Sequence, residues 1–176
     1  MDINIIRSNR KSLKLEVRAE GVTVRAPWYA GDGEIERFVR KHQAWIEEKL
    51  EQMPPAADIL TAEEIRALAD KALEIIPERV RYFAGQMGLT YGRITIRNQR
   101  TRWGSCSGKG NLNFNCLLML TPPEVIDSVV VHELCHLKEM NQSDRFYAEV
   151  LKVFPEYRKW DAWLKKNGAA IMRRMG

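Results

Sequence analysis

The chain has 176 residues, 45% hydrophobic and 29% charged, with a net charge of +5 and a pI near 9.2. That make-up fits a globular protein of one compact domain, or one domain with a small appendage. It holds no 18-residue apolar run, which argues against a membrane-spanning helix, and its modest basic balance permits contact with nucleic acid or acidic peptides without demanding it. The opening "MDINIIRSNRKSLKLEV" has neither an apolar h-region nor a small-residue cleavage site, so no signal peptide is expected. Cys106, Cys116 and Cys135 have no C-x-x-C spacing and read as reduced thiols of a cytoplasmic protein.

The first 27 residues read as β-structure. Leu13, Leu15 and Val17, then Val22, Val24 and Ala26, alternate around Glu20-Gly21, which is a hairpin pattern. After Pro27, Ile35, Phe38, Val39, His42, Ile46 and Leu50 recur at helical spacing. "EQMPPAAD" is a Pro-rich break, and it divides the expected N-terminal subdomain, 1–54, from a second domain, 55–176. Thr61-Ala62-Glu63-Glu64 has capping-box form and opens a helix to about Met87, ended by Gly88. Pro77 falls inside it, which predicts a kink or two helices.

Two short strands follow, "RITIR" (Arg93 to Arg97) and "NLNFNCLLML", the second alternating through Asn111, Asn113 and Asn115. Thr121-Pro122-Pro123-Glu124 marks a strong helix start. A last helix is expected from Ser143-Asp144 to about Lys166, with Asn167-Gly168 as its stop. The order of hairpin, helices, strands and helices is that of an α+β chain without internal repeats.

The helix after Pro123 carries "VVVHELCHLKEMNQSDRFY", and within it an H-E-x-x-H motif. His132 and His136, two of the three histidines, leave one helix face a turn apart, a spacing that suits two nitrogens on one zinc ion. Glu133 points off that axis, where it can take a proton from water and return it to a leaving amine. Val125, Ile126, Val129, Val130, Leu134 and Leu137 are apolar, so the helix is expected to be buried. Two imidazoles and a carboxylate buried together are costly unless something such as a metal uses them.

Together, "RWGSC" (Arg102 to Cys106), "NLNFN", the motif helix and "SDRFYAEV…FPEYRKW…L" resemble the YgjP-like metallopeptidases, relatives of the minigluzincins and of SprT-like proteases. The N-terminal "RSNRKSLKLEVRAEGVTVRAP" and "FVRKHQAWIEEKL" fit the same family, so the resemblance covers nearly the whole chain. It implies a zincin-like domain with an edge strand over the H-E-x-x-H helix. It also implies one bound Zn2+ and hydrolysis of a peptide or protein substrate. Members of the family carry a third histidine in an N-H-S triplet six residues past the motif. Here Asn141-Gln142-Ser143 stands there, which makes Gln142, a weaker neutral donor, the first candidate for the third ligand.

Glu139 is the next candidate, although a helix rises about 10.5 Å between His132 and Glu139, which strains convergence. Glu149 ranks third, by analogy with relatives in which a downstream helix supplies a glutamate. His42, among Arg40, Lys41 and Trp45, reads as an ordinary amphipathic-helix residue.

Trp103 reads as packing on the motif helix and Gly104 as a turn, with Ser105 or a main-chain group as the alternative, facing substrate. Cys106 reads as a buried inert thiol rather than a ligand. The polar face of Asn111, Asn113 and Asn115 suggests an edge strand that accepts a peptide by β-augmentation. Arg93, Arg97, Arg100, Arg102 and Lys109 form a basic cluster that suits phosphate, an idea supported by analogy with SprT-like relatives that act on DNA-attached proteins. The leading expectation is a zinc-dependent peptidase with Glu133 as base. The alternative is a pseudoenzyme, or a nucleic-acid-associated module, with a weakened metal site.

Overall fold

The computed structural model describes residues 2–176 and divides the chain into two compact units. One comprises the residues up to Ile59 together with Gly176; the other is Leu60–Met175.

The first unit is built on three strands, β1 (Ile3–Ser8), β2 (Lys14–Arg18) and β3 (Gly21–Pro27), in the order β1-β3-β2. The expected hairpin is β2–β3, antiparallel with Arg18 opposite Gly21, while β1 joins the other side of β3 in parallel. Val22, Val24 and Ala26 of the central strand are buried, as their alternation required.

The helical pattern that follows is two helices, α1 (Asp32–Lys41) and α2 (Gln43–Glu51). His42 makes the break: its Nδ1 lies 2.8 Å from the Phe38 carbonyl, the group its own main-chain N–H would bond in a continuous helix. That N–H turns instead to Val39 at 3.0 Å.

The second unit opens with α3 (Ala62–Met87). Thr61 and Glu64 form the full capping box, and Gly88 closes the helix at φ +64°. Pro77 does not divide it into two helices, one of the two outcomes expected there. The carbonyl it strands belongs to Leu73, an exposed residue, while Ala72, Ile76, Val80, Phe83 and Ala84 stay buried along an unbroken stripe. Burial of that stripe outweighs the lost bond.

A second sheet follows, of β4 (Ile94–Arg97), β5 (Gly104–Cys106) and β6 (Leu112–Asn115), in the order β4-β6-β5. The strand expected through 111–120 stops at Asn115, and Cys116–Leu120 forms a 3-10 turn. The Asn115 side chain causes this, since its Oδ1 accepts the Leu117 N–H at 3.0 Å.

Three helices complete the unit: α4 (Pro123–Cys135), α5 (Asp144–Val153) and α6 (Tyr157–Arg173). The last two were expected as one. Phe154 is extended at φ −134° and ψ 84°, as the residue before Pro155 must be, so the helix breaks there. Nor does Asn167-Gly168 end α6. Gly168 is buried against Trp103, where a Cβ would approach the indole to 3.1 Å, so this glycine serves close packing rather than a stop. The core of the unit lies between α3, α4 and β6, with Phe114, Leu118, Val130, Leu134 and Phe146 at its centre.

Candidate metal centre

α4 is buried on nearly every side, and it delivers His132 and Glu133 to a cleft beside β5. The helix ends at Cys135, so His136 stands at its C-cap and not within a continuing turn. The ring nitrogens nonetheless converge: His132 Nε2 and His136 Nε2 are 3.2 Å apart. Two nitrogens bound to one tetrahedral zinc ion at about 2.0–2.1 Å stand about 3.3 Å apart, so the pair has the spacing a metal needs.

The other nitrogen of each ring is engaged. His136 Nδ1 lies 3.1 Å from the Glu139 carbonyl oxygen and His132 Nδ1 lies 2.8 Å from the Tyr157 hydroxyl. A carbonyl only accepts, so His136 carries its proton on Nδ1 and leaves the Nε2 lone pair free. His132 is pushed down to about 4 by burial and by His136, which keeps it neutral, the form that ligates. These residues fit a divalent metal.

Glu133 is 6% exposed, and burial raises its carboxyl to about 7. Gly104 lies against it: a Cβ on Gly104 would stand 2.9 Å from Glu133 Oε1 and 3.0 Å from its Cγ. Around His132 and Glu133 the cleft has two lobes. One is lined by Ser105, Cys106, His136, Met140 and Gln142; the other by Trp103, Val129, Tyr157, Asp161 and Leu164.

Gln142 points into the first lobe, with its amide 3.2 Å from His132 Nε2 and the other amide end 3.1 Å from the Tyr147 hydroxyl. The other third-ligand candidates are elsewhere. Because α4 stops before it, Glu139 meets the site through its carbonyl, which holds His136 from behind. The Glu149 carboxylate pairs with Lys138 at 3.3 Å. Among the described residues, no group of three His, Cys, Asp or Glu side chains converges as a metal site. Of the three candidates, Gln142 is the one whose side chain is brought to His132 Nε2. His42 lies in the first unit, bonded to Phe38.

The asparagine strand needs correction. Asn113 and Asn115 lie in β6 and Asn111 just before it, and β6 has β4 on one side and β5 on the other, so its main chain is paired on both sides. Their side chains hold the sheet together. Asn111 accepts the Arg93 N–H at 2.9 Å, and Asn113 reaches Ser105 Oγ at 3.2 Å while accepting from Arg97. Asn115 is buried and donates to the Gln99 and Arg102 carbonyls at 2.7 and 2.8 Å. It thereby fixes the loop that leads Trp103 and Gly104 to the cleft.

The edge strand beside α4 is β5. Trp103 O accepts from Asn115 N, and Ser107 N donates to Asn111 O, both at 2.9 Å. In an antiparallel ladder of this register, the Gly104 and Cys106 N–H and C=O groups point away from β6, toward an open edge.

Cys106 is half-buried and lines the cleft, where desolvation and then the nearby Glu133 carboxylate push its thiol up. Trp103 packs on Gly168 of α6 as well as lining the cleft. The basic cluster divides in space: Arg93 and Lys109 flank the sheet end at Asn111, while Arg97, Arg100 and Arg102 lie toward the Asn115 end. Arg102 alone of these lines the cleft.

Sequence reasoning missed Tyr147, Tyr157 and Asp161. A signal was present for the last two: Tyr157, Asp161, Leu164 and Gly168 follow helical spacing behind Pro155 and share one face of α6.

No helix among the described residues is long and apolar enough to cross a membrane. No curated protein matches the chain. Solved structures resemble part of it, among them the metallopeptidase zymogens of Methanocaldococcus jannaschii jannalysin and Pyrococcus abyssi abylysin. The first is 19% identical, with 52% of this chain and 95% of that one covered at a TM-score of 0.47. The second is 24% identical, with 52% and 94% covered at the same TM-score. The profile of the YgjP-like metallopeptidase domain matches residues 11–68 and 57–167, most of the chain. The chain belongs to the YgjP-like metallopeptidase family.

Proposed function

We propose that the chain is a zinc-dependent peptidase in which His132, His136 and the Gln142 amide oxygen hold the ion and Glu133 is the general base, then acid. One observation carries the reading: two imidazole Nε2 atoms 3.2 Å apart, beside a buried carboxylate, with each Nδ1 engaged from behind. When bound, zinc supplies Lewis-acid polarisation of a carbonyl and makes water acidic enough to deprotonate near neutral pH.

The residues do the rest. Glu133, raised to about 7, accepts a proton from the attacking water and returns it to the departing amine. The open Gly104 and Cys106 main-chain groups hold an extended peptide along β5, and such bonds ignore the identity of substrate side chains. The lobe walled by Trp103, Val129 and Leu164 receives a side chain next to the scissile bond.

Glu133→Gln tests this directly. Peptide hydrolysis by the zinc-loaded variant should fall by about 10²–10⁴-fold while zinc content is unchanged. Parent-like hydrolysis by that variant sinks the mechanism.

A further inference from the structure

His132 offers Nε2 to a metal only if its ring proton stays on Nδ1. For His136 a carbonyl acceptor decides the matter. For His132 the partner is the Tyr157 hydroxyl, and a hydroxyl donates or accepts. If Tyr157 donated to Nδ1, the ring proton would sit on Nε2, directed at His136 Nε2 3.2 Å away, and the ligand lone pair would be lost. The direction of this bond depends on where the phenol's own hydrogen goes.

Tyr157 is buried at the first turn of α6. One turn on, Asp161 lines the same lobe of the cleft, and its carboxylate is close enough to help push the Tyr157 phenol up, after burial. A further turn on, Lys165 grips the Asp161 carboxylate at 2.7 Å. The spacing of 157, 161 and 165 stacks the three on one helix face. A carboxylate only accepts, so a Tyr157 O–H turned to Asp161 leaves the phenol oxygen to accept Nδ1–H.

We infer that Tyr157 and Asp161 are positioning residues for the metal centre: Asp161 orients the Tyr157 hydroxyl, and Tyr157 holds His132 in the tautomer that opens Nε2. The inference rests on the metal-site reading above. It places a determinant of metal affinity outside the motif, on the last helix, where a phenol stands between histidine and carboxylate.

The test is zinc affinity, measured on the full chain by competition with a chromophoric chelator at fixed pH. The proteins are the parent, Tyr157→Phe, Asp161→Leu, Asp161→Asn and the Tyr157→Phe/Asp161→Leu double variant. Tyr157→Phe and Asp161→Leu should each weaken zinc binding about 10–100-fold. Asp161→Asn should stay close to parent, because its amide oxygen still accepts from the phenol. The double variant should bind as Tyr157→Phe does, since the two act in series.

Asp161→Leu with parent affinity overturns the inference. So does an equal further loss when Asp161→Leu is added to Tyr157→Phe, which would make Asp161 a nearby charge and nothing more. The Asp161 side chain is 31% exposed, so its two variants carry the test even where Tyr157→Phe disturbs folding. A parent that binds no zinc brings down the metal-site reading itself, whereas zinc binding indifferent to these changes brings down the inference alone.

Discussion

Removing the metal should expose a half-buried histidine and a buried glutamate whose proton linkages oppose each other. Glu133 titrates at about 7 in the folded chain against an ordinary 4.5, and His132 at about 4 against 6.5. For the glutamate, the folded state holds its proton where the unfolded chain has lost it. Its contribution is full below pH 4.5 and disappears as pH rises to 7. The histidine runs the other way: the unfolded chain gains a proton that the folded state refuses, so its contribution is full above pH 6.5 and disappears as pH falls to 4. Each span is about 2.5 units at about 1.4 kcal/mol per unit, or about 3.5 kcal/mol. Between pH 4.5 and 6.5 the two slopes cancel. Replacing either residue uncovers the other. Urea unfolding of chelator-treated protein across pH 4–7.5 reads the effect as differences from parent, in which unaltered groups subtract out. Parent minus Glu133→Gln stability should fall with rising pH over that range, and parent minus His132→Gln should rise. Two flat differences would refute burial as the source of both shifts.

Two further substitutions probe the site's geometry. Gly104→Ala places a methyl 2.9 Å from Glu133 Oε1 and 3.2 Å from the Asn113 carbonyl, and should cost about 1–3 kcal/mol of stability and displace the base. Hydrolysis by the folded variant should drop while zinc content holds, and parent-like turnover would show that Glu133 has room to spare. Gln142→His should tighten zinc at least about tenfold, about 1.4 kcal/mol, in the same chelator competition. Equal affinity would mean that position 142 does not face the ion.

The motif was legible because its chemistry is local. Four residues of helix place His132 and His136 together wherever the helix lies, and the Pro123 start and apolar flanks announced burial. What the pattern could not show was pairing. Asn111, Asn113 and Asn115 alternate as a solvent-facing edge would, yet β4 and β5 both bond to β6, and the amides are spent across that sheet. Strand order is set by contacts remote in sequence, so alternation alone assigned the open edge to the wrong strand. The helix breaks failed differently. His42 ends α1 by bonding its own helix's carbonyl, and Pro77 leaves α3 whole because the apolar stripe outweighs one bond. Glu139 seemed to share a helical face only while the helix was assumed to continue past His136.

The same early end of α4 explains why position 142 matters. Past His136 the chain turns back, and Ser143 caps α5 by accepting the Phe146 N–H at 3.4 Å. The Ser143 N–H itself bonds the Asn141 carbonyl at 2.8 Å. These bonds flank residue 142 and do not involve its side chain, and the glutamine amide reaches His132. Tyr147 completes the arrangement. Its hydroxyl meets one end of the Gln142 amide and His132 meets the other, and a hydroxyl serves equally as donor to the oxygen or acceptor from the nitrogen. Turning the amide over presents oxygen instead of nitrogen to the ligand position without moving the backbone. On the function proposed above, glutamine at this position changes the strength of the donor and leaves the site's framework in place.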